Sequence, residues 1–222
     1  MYAVAVAAAS VLYNLGQGVG LIHRNLHALV ALVFLGLPQL ALRHRGNIER
    51  YGFTLQPLVL GLVIAGVALA VVLPLFGGGF VLTLRAACAH APRLVPGSCA
   101  RVARPLWRLP ADFPMLAAAQ LIVVALPEEL FFRGYVQGRL EEALPPTVSL
   151  WGARVGWAWI IGAALFALGH YLVSFDPQTL TRFFPGLAFG WMFARTRSIL
   201  AGTIFHAACN LLMAVLSVSL LS

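Results

Sequence analysis

Phe113-Pro114-Met115-Leu116-Ala117-Ala118-Ala119-Gln120-Leu121-Ile122-Val123-Val124-Ala125-Leu126 runs directly into Pro127-Glu128-Glu129-Leu130-Phe131-Phe132-Arg133-Gly134-Tyr135. The first part is almost bare of polar groups. As a helix its fourteen residues rise only about 21 Å, too little for a hydrocarbon layer of about 30 Å. Something polar must share the membrane with it, and the second part supplies two carboxylates and a guanidinium. Pro127 is expected to start or kink a helix at Glu128.

The rest of the chain puts this stretch in a lipid setting. Of 222 residues, 61% are hydrophobic and 10% charged, with a mean hydropathy of +0.89. A soluble domain carries about 25% charged residues, so a water-soluble globular enzyme is excluded. At about 20 residues per crossing, the expected architecture is an all-α polytopic transmembrane helix bundle of about seven to eight spans. Met1–Ile22 reads as a first span, since no basic region precedes Arg24 as it would in a cleaved signal peptide. Leu26–Leu42 reads as a second, ending in the basic turn Arg43-His44-Arg45 with Arg50. Leu55–Leu84 has no charge and suits one long tilted helix or a helix broken at Pro74 and Gly77-Gly78-Gly79. Val155–Phe175 and Ile199–Leu221 are further spans, and Phe183–Phe193 is short enough for a thin crossing or a re-entrant segment. The division expected is residues 1–112, amino-terminal helices and a basic loop, and residues 113–222, the site-bearing bundle, in one integrated membrane domain.

The formal charge is +8, from 15 Lys+Arg against 7 Asp+Glu, and all 15 cations are arginine. Basic loops beside apolar spans mark the cytoplasmic face, so the bilayer rather than nucleic acid accounts for the charge. Arg85–Pro110, with five arginines and no acid, is the best cytoplasmic candidate. The Ala-rich, Lys-free composition suggests a bacterial gene of high GC content, hence a multi-pass protein of the inner (plasma) membrane. Cys88, Cys99 and Cys209 lack C-x-x-C or zinc-finger spacing, which argues against a disulfide framework and leaves one Cys88–Cys99 bridge open.

A charge at the bilayer centre costs at least about 2.5 kcal/mol, so the two adjacent glutamates need a partner or a task. Arg133, four residues after Glu129, is a partner on the same helix face in the favourable acid-first order. Glu128 points about 100° away, without a local counter-charge, and suits proton transfer. A purely structural ion-pair cluster is the competing explanation. His170, four residues after Phe166, and His206, four before Asn210, lie in apolar spans of their own. Singly each is an interhelical hydrogen bonder; together with the glutamates they make a polar chamber.

In order, Glu128-Glu129-x-x-x-Arg133, Phe166-x-x-x-His170 and His206-x-x-x-Asn210 resemble the motifs of the CPBP family of intramembrane proteases, which includes the type II CAAX prenyl endopeptidases and bacteriocin-processing or immunity proteins. The similarity covers about Phe113 to the carboxyl terminus. It implies that Glu128 and His170 activate a water, that His206 and Asn210 stabilise the oxyanion, and that Arg133 holds Glu129. It further implies a protein or peptide substrate with a membrane-proximal tail, no cofactor, and a chamber open to the cytoplasm. Within the family the chain is similar to the myxosortases, assigned to trimming the sorting tails of myxobacterial surface proteins. Three other readings remain open: Zn²⁺ held by Glu128, His170 and His206; a non-catalytic scaffold or bacteriocin-immunity protein; and a proton-coupled transporter. Cys209 as nucleophile is disfavoured, because it points about 100° away from Asn210.

Overall fold

The computed structural model describes residues 1–42, 48–95 and 97–221, so the expected basic turn Arg43–Arg45 lies outside the described residues. Helices α1 (Tyr2–Gly18) and α2 (Gly20–Leu42) pack against each other, separated by the extended backbone of Val19. The expected first span therefore ends early, in a glycine-rich stretch of low helix propensity. Helix α3 (Leu58–His90) is one unbroken helix of 33 residues through Pro74 and the three glycines. At about 50 Å by its rise, it must tilt or project beyond the hydrocarbon. A disulfide between Cys88 and Cys99 ties its last turn to the short α4 (Ser98–Ala103).

Helix α5 (Phe113–Ala143) carries the decisive stretch in a single run of 31 residues. It neither starts nor breaks at Pro127. Instead it is wound wide as π-helix over Gln120–Ala125 and again over Leu130–Gln137, leaving Leu126–Glu129 as an α-turn between them. Proline lacks the N–H that an α-helix requires, and the altered hydrogen-bond register of a π segment absorbs such a defect without ending the helix.

A hairpin that the sequence reading did not anticipate follows: β1 (Val148–Leu150) pairs antiparallel with β2 (Ala153–Val155) across Trp151-Gly152. Both turn residues have positive φ, 47° and 80°, as two-residue hairpin turns need. Helices α6 (Trp157–Ser174), α7 (Phe183–Thr196) and α8 (Leu200–Leu221) complete the bundle.

The chain is an all-α helical membrane protein, its described strands confined to that hairpin. Among the described residues four helices, α3, α5, α6 and α8, are long and apolar enough to cross a membrane, and Arg24–Leu40 is a shorter apolar helix. This is fewer than the seven to eight expected from chain length. Helices α3 and α5 each take more than 30 residues, while α7 has only 14.

Two packing features set the level of the site. Phe34 of α2 stacks on Phe131 at 4.9 Å and meets Phe132 edge-on at 5.6 Å, so the amino-terminal half walls α5. Helix α8 starts below the bundle surface: the Ile199 N–H donates to the Gly52 carbonyl at 3.0 Å, and the Ser198 hydroxyl donates to the Thr54 carbonyl. Glycine at 134 makes room for that same segment, since a Cβ there would stand 2.3 Å from the Tyr51 carbonyl oxygen. Gly134→Ala should therefore lower the thermal midpoint of the detergent-solubilised protein, by an overpacking cost of about 1–3 kcal/mol or more. Gly138→Ala, whose Cβ would meet Tyr51 at an ordinary 3.6 Å, should leave the midpoint almost unchanged in the same melt.

Candidate active site

Glu129 is wholly buried, at 0% exposure. One carboxylate oxygen, Oε2, lies 3.2 Å from Arg133 Nε; the other accepts from His206 Nδ1 at 3.1 Å. The Arg133 guanidinium sits over the Phe166 ring at 4.4 Å and faces Phe189 at 5.4 Å. Its terminal nitrogens have no hydrogen-bond acceptor among the described residues, so ring faces take the place of a second carboxylate. Phe189 also stacks flat on His206, with centroids 4.8 Å apart. Gly202 lets α8 come this close, because a Cβ there would lie 2.9 Å from Glu129 Oε2.

Glu128 projects to a different place. It keeps 15% exposure, and its Oε2 lies 3.6 Å from His170 Nε2 and 3.8 Å from His206 Nε2. Both distances exceed hydrogen-bond length and both leave the three atoms around one small space. His170 Nδ1 lies 2.9 Å from the Phe166 carbonyl oxygen, which can only accept, so Nδ1 carries the hydrogen. His206 Nδ1 likewise donates to the Glu129 carboxylate. In the neutral rings both Nε2 atoms are then lone-pair acceptors, as is an ionised Glu128. Three acceptors facing one space need hydrogens from a guest or an added proton.

Asn210 lies one turn beyond His206, and its Nδ2 donates to Gln120 Oε1 at 2.8 Å. Among the described residues no hydrogen bond joins it to Glu128 or to the two histidines. Cys209 packs at the edge of the aromatic core. Four contributors were missed in the sequence: Gln120, Phe189, Gly202 and Arg182. Arg182 is an exposed cation at the end of the 3₁₀ segment Pro177–Arg182, and its charge acts on both Glu128 and His170. None of the four forms a spacing motif with the rest, and only the polar Gln120 in its apolar run carries a signal. Among the described residues no three His, Cys, Asp or Glu are grouped so as to hold a metal ion. A surface hollow lined by Tyr51, Glu141, Gly152, Arg154 and Arg197 lies at the hairpin end, and neither Glu128 nor the two histidines are in its wall.

Residues 110–212 match the family model described as type II CAAX prenyl endopeptidase Rce1-like. Neither a curated protein nor a solved structure matches the chain. The matched segment contains every residue named in this site.

The two glutamates should separate in a stability measurement. Arg133→Met leaves a buried carboxylate uncompensated and should cost about 3–5 kcal/mol, lowering the melting midpoint by many degrees. Glu128→Gln removes a charge whose buried Oε2 has no hydrogen-bond partner among the described residues, and should melt at or above the wild-type midpoint.

Proposed function

On the premise that residues 110–212 are an Rce1-like domain, of the CAAX prenyl endopeptidases in the CPBP family, we propose that the chain is a membrane-embedded endopeptidase. It hydrolyses a peptide bond near the membrane surface, in the carboxyl-terminal region or anchor of a protein or peptide, in a bacterial plasma membrane. The observation that carries this reading is the convergence of Glu128 Oε2, His170 Nε2 and His206 Nε2 on one small space.

A water there donates its hydrogens to two of those acceptors and turns a lone pair toward an incoming carbonyl. As its oxygen bonds to the carbonyl carbon, one proton passes to Glu128, seconded by His170, and the carbonyl oxygen becomes an oxyanion. Collapse of the tetrahedral species breaks the C–N bond, the proton on Glu128 moves to the leaving nitrogen, and the second water proton follows from the new carboxyl group, so that a carboxylate and a protonated amine result. General-base assistance of this kind is worth about 10²- to 10⁴-fold. His206 donates to the oxyanion from Nε2 in its doubly protonated form, with Glu129 holding Nδ1. Asn210 contributes the amide hydrogen that Gln120 does not hold. Fixed donors of this type supply about 3–4 kcal/mol each.

No step of this route requires a metal. Turnover by purified protein should persist after incubation with a strong chelator and dialysis; loss restored by Zn²⁺ alone would move the mechanism to metal-assisted hydrolysis.

The decisive test is cleavage of tail-anchored reporter proteins in proteoliposomes, with product termini read by mass spectrometry. Glu128→Ala and His170→Ala should each lose at least about 100-fold in rate while still inserting and accumulating. Wild-type turnover by either variant would sink the assignment. A scaffold or immunity protein would instead show alanine variants that lose stability and no cleavage by wild type.

A further inference from the structure

The bundle has two chemically different ends. At one, the hairpin end, lie β1 and β2, the close of α5 and α7, and the start of α6 and α8. At the other lie the end of α3, α4, and the last turn of α8. Val102 of α4 packs with Leu84, Leu216 and Leu220 there, and the Ser219 hydroxyl accepts from the Arg108 N–H at 2.9 Å.

The Glu128 chamber communicates with this second end. His170 is one turn from the end of α6, and the Ser174 hydroxyl there donates to its carbonyl at 3.0 Å. The half-buried Gln120–Asn210 pair lies on the same side of Glu128, and so does the exposed Arg182. In the opposite direction the path is filled: Phe131, Phe132, Arg133, Phe166 and Gln137 are all buried. A substrate chain reaches Glu128 from the end that carries the Cys88–Cys99 disulfide.

Charge orients the bundle only weakly. The five arginines between Arg85 and Arg108, with Arg24 and Arg182, give this end seven. Arg50, Arg139, Arg154, Arg195 and Arg197 give the hairpin end five among the described residues. The inside rule counts basic residues on the two sides, and seven against five is a narrow margin. The Cys88–Cys99 disulfide weighs the other way: such bonds persist in oxidising compartments and are rare where cytosolic reductants reach them.

We propose that the disulfide end faces the non-cytoplasmic side, so that the Glu128 chamber opens there and its substrates are the membrane-proximal tails of exported proteins. This reverses the cytoplasmic placement of Arg85–Pro110 expected from its charge alone. The orientation stands without the protease reading; only the substrate class rests on it. Tails still held in the bilayer after translocation present their scissile segment on the side where the chamber opens, whereas the tail of a cytosolic prenylated protein does not.

The test uses the full chain in intact bacterial cells. Gln178→Cys at the disulfide end and Ser149→Cys in the hairpin, each with Cys209→Ser, are exposed to a membrane-impermeant maleimide. Gln178→Cys should label in intact cells, and Ser149→Cys only after permeabilisation. In unaltered protein trapped by acid, Cys88 and Cys99 should resist alkylation until a reductant is added. Labelling of Ser149→Cys with protection of Gln178→Cys would overturn the proposal, as would free Cys88 and Cys99 thiols in untreated cells. Proteolysis assayed in detergent is indifferent to orientation, so inactivation by Glu128→Ala tests the protease reading separately.

Discussion

The buried pair Glu129–Arg133 is the constraint around which the bundle is arranged. Two full charges inside a membrane domain are tolerable only if they neutralise each other and their remaining polar atoms meet suitable groups. Helix α5 supplies both partners, four residues apart. The rest comes from elsewhere: a histidine from α8 takes the free oxygen of Glu129, and aromatic rings from α6 and α7 cover the guanidinium. Each demand recruits another helix. Satisfying one ion pair thereby fixes how α6, α7 and α8 sit against α5, and it turns His206 so that its second nitrogen looks toward Glu128.

The adjacent glutamates thus divide two jobs by direction alone. Glu129 is spent on structure; Glu128, turned away from the pair, meets imidazoles whose Nδ1 hydrogens are already committed. The π-wound segments on either side of Leu126–Glu129 belong to the same design. They carry the helix past Pro127, and such segments recur at functional sites because they re-aim side chains without ending the helix.

Much of this was legible as chemistry and little of it as distance. Acids, an arginine and histidines in apolar runs announce themselves, because lipid makes every polar residue conspicuous, and the ordered motifs located Glu128, Glu129, Arg133, Phe166, His170, His206 and Asn210. Helix counting could not show that His206, near the start of α8, meets His170, near the end of α6. That depends on α8 starting under the Gly52–Thr54 segment, a tertiary fact. Phe189 and Gly202 were invisible for a related reason: an apolar ring or a glycine in a membrane helix has no local mark of its role. Asn210 is legible by its spacing from His206, but the hydrogen bond that fixes its amide, to Gln120 on α5, is again a tertiary fact. The hairpin is not legible because Val148–Leu150 and Ala153–Val155 are three residues each, too short to show a period-2 alternation.

A polar ladder along α5 bears on the transporter alternative. Glu129, Arg133, Gln137 and Glu141 recur every four residues, from the chamber to the hairpin end, where Gln137 donates to Glu141 at 3.1 Å and Arg197 pairs with Glu141. A row of this kind resembles a proton path, but a path needs continuous hydrogen bonds and groups that can release protons. Arg133 holds its proton in proteins, its terminal nitrogens find no acceptor among the described residues, and Gln137 Oε1 likewise has no donor. The ladder is broken where a wire would need to be whole. Buried side chains, Glu129, Arg133 and Gln137, fill that direction between the chamber and the hairpin end, an arrangement that suits a hydrolase fed from one side better than a carrier open alternately to both.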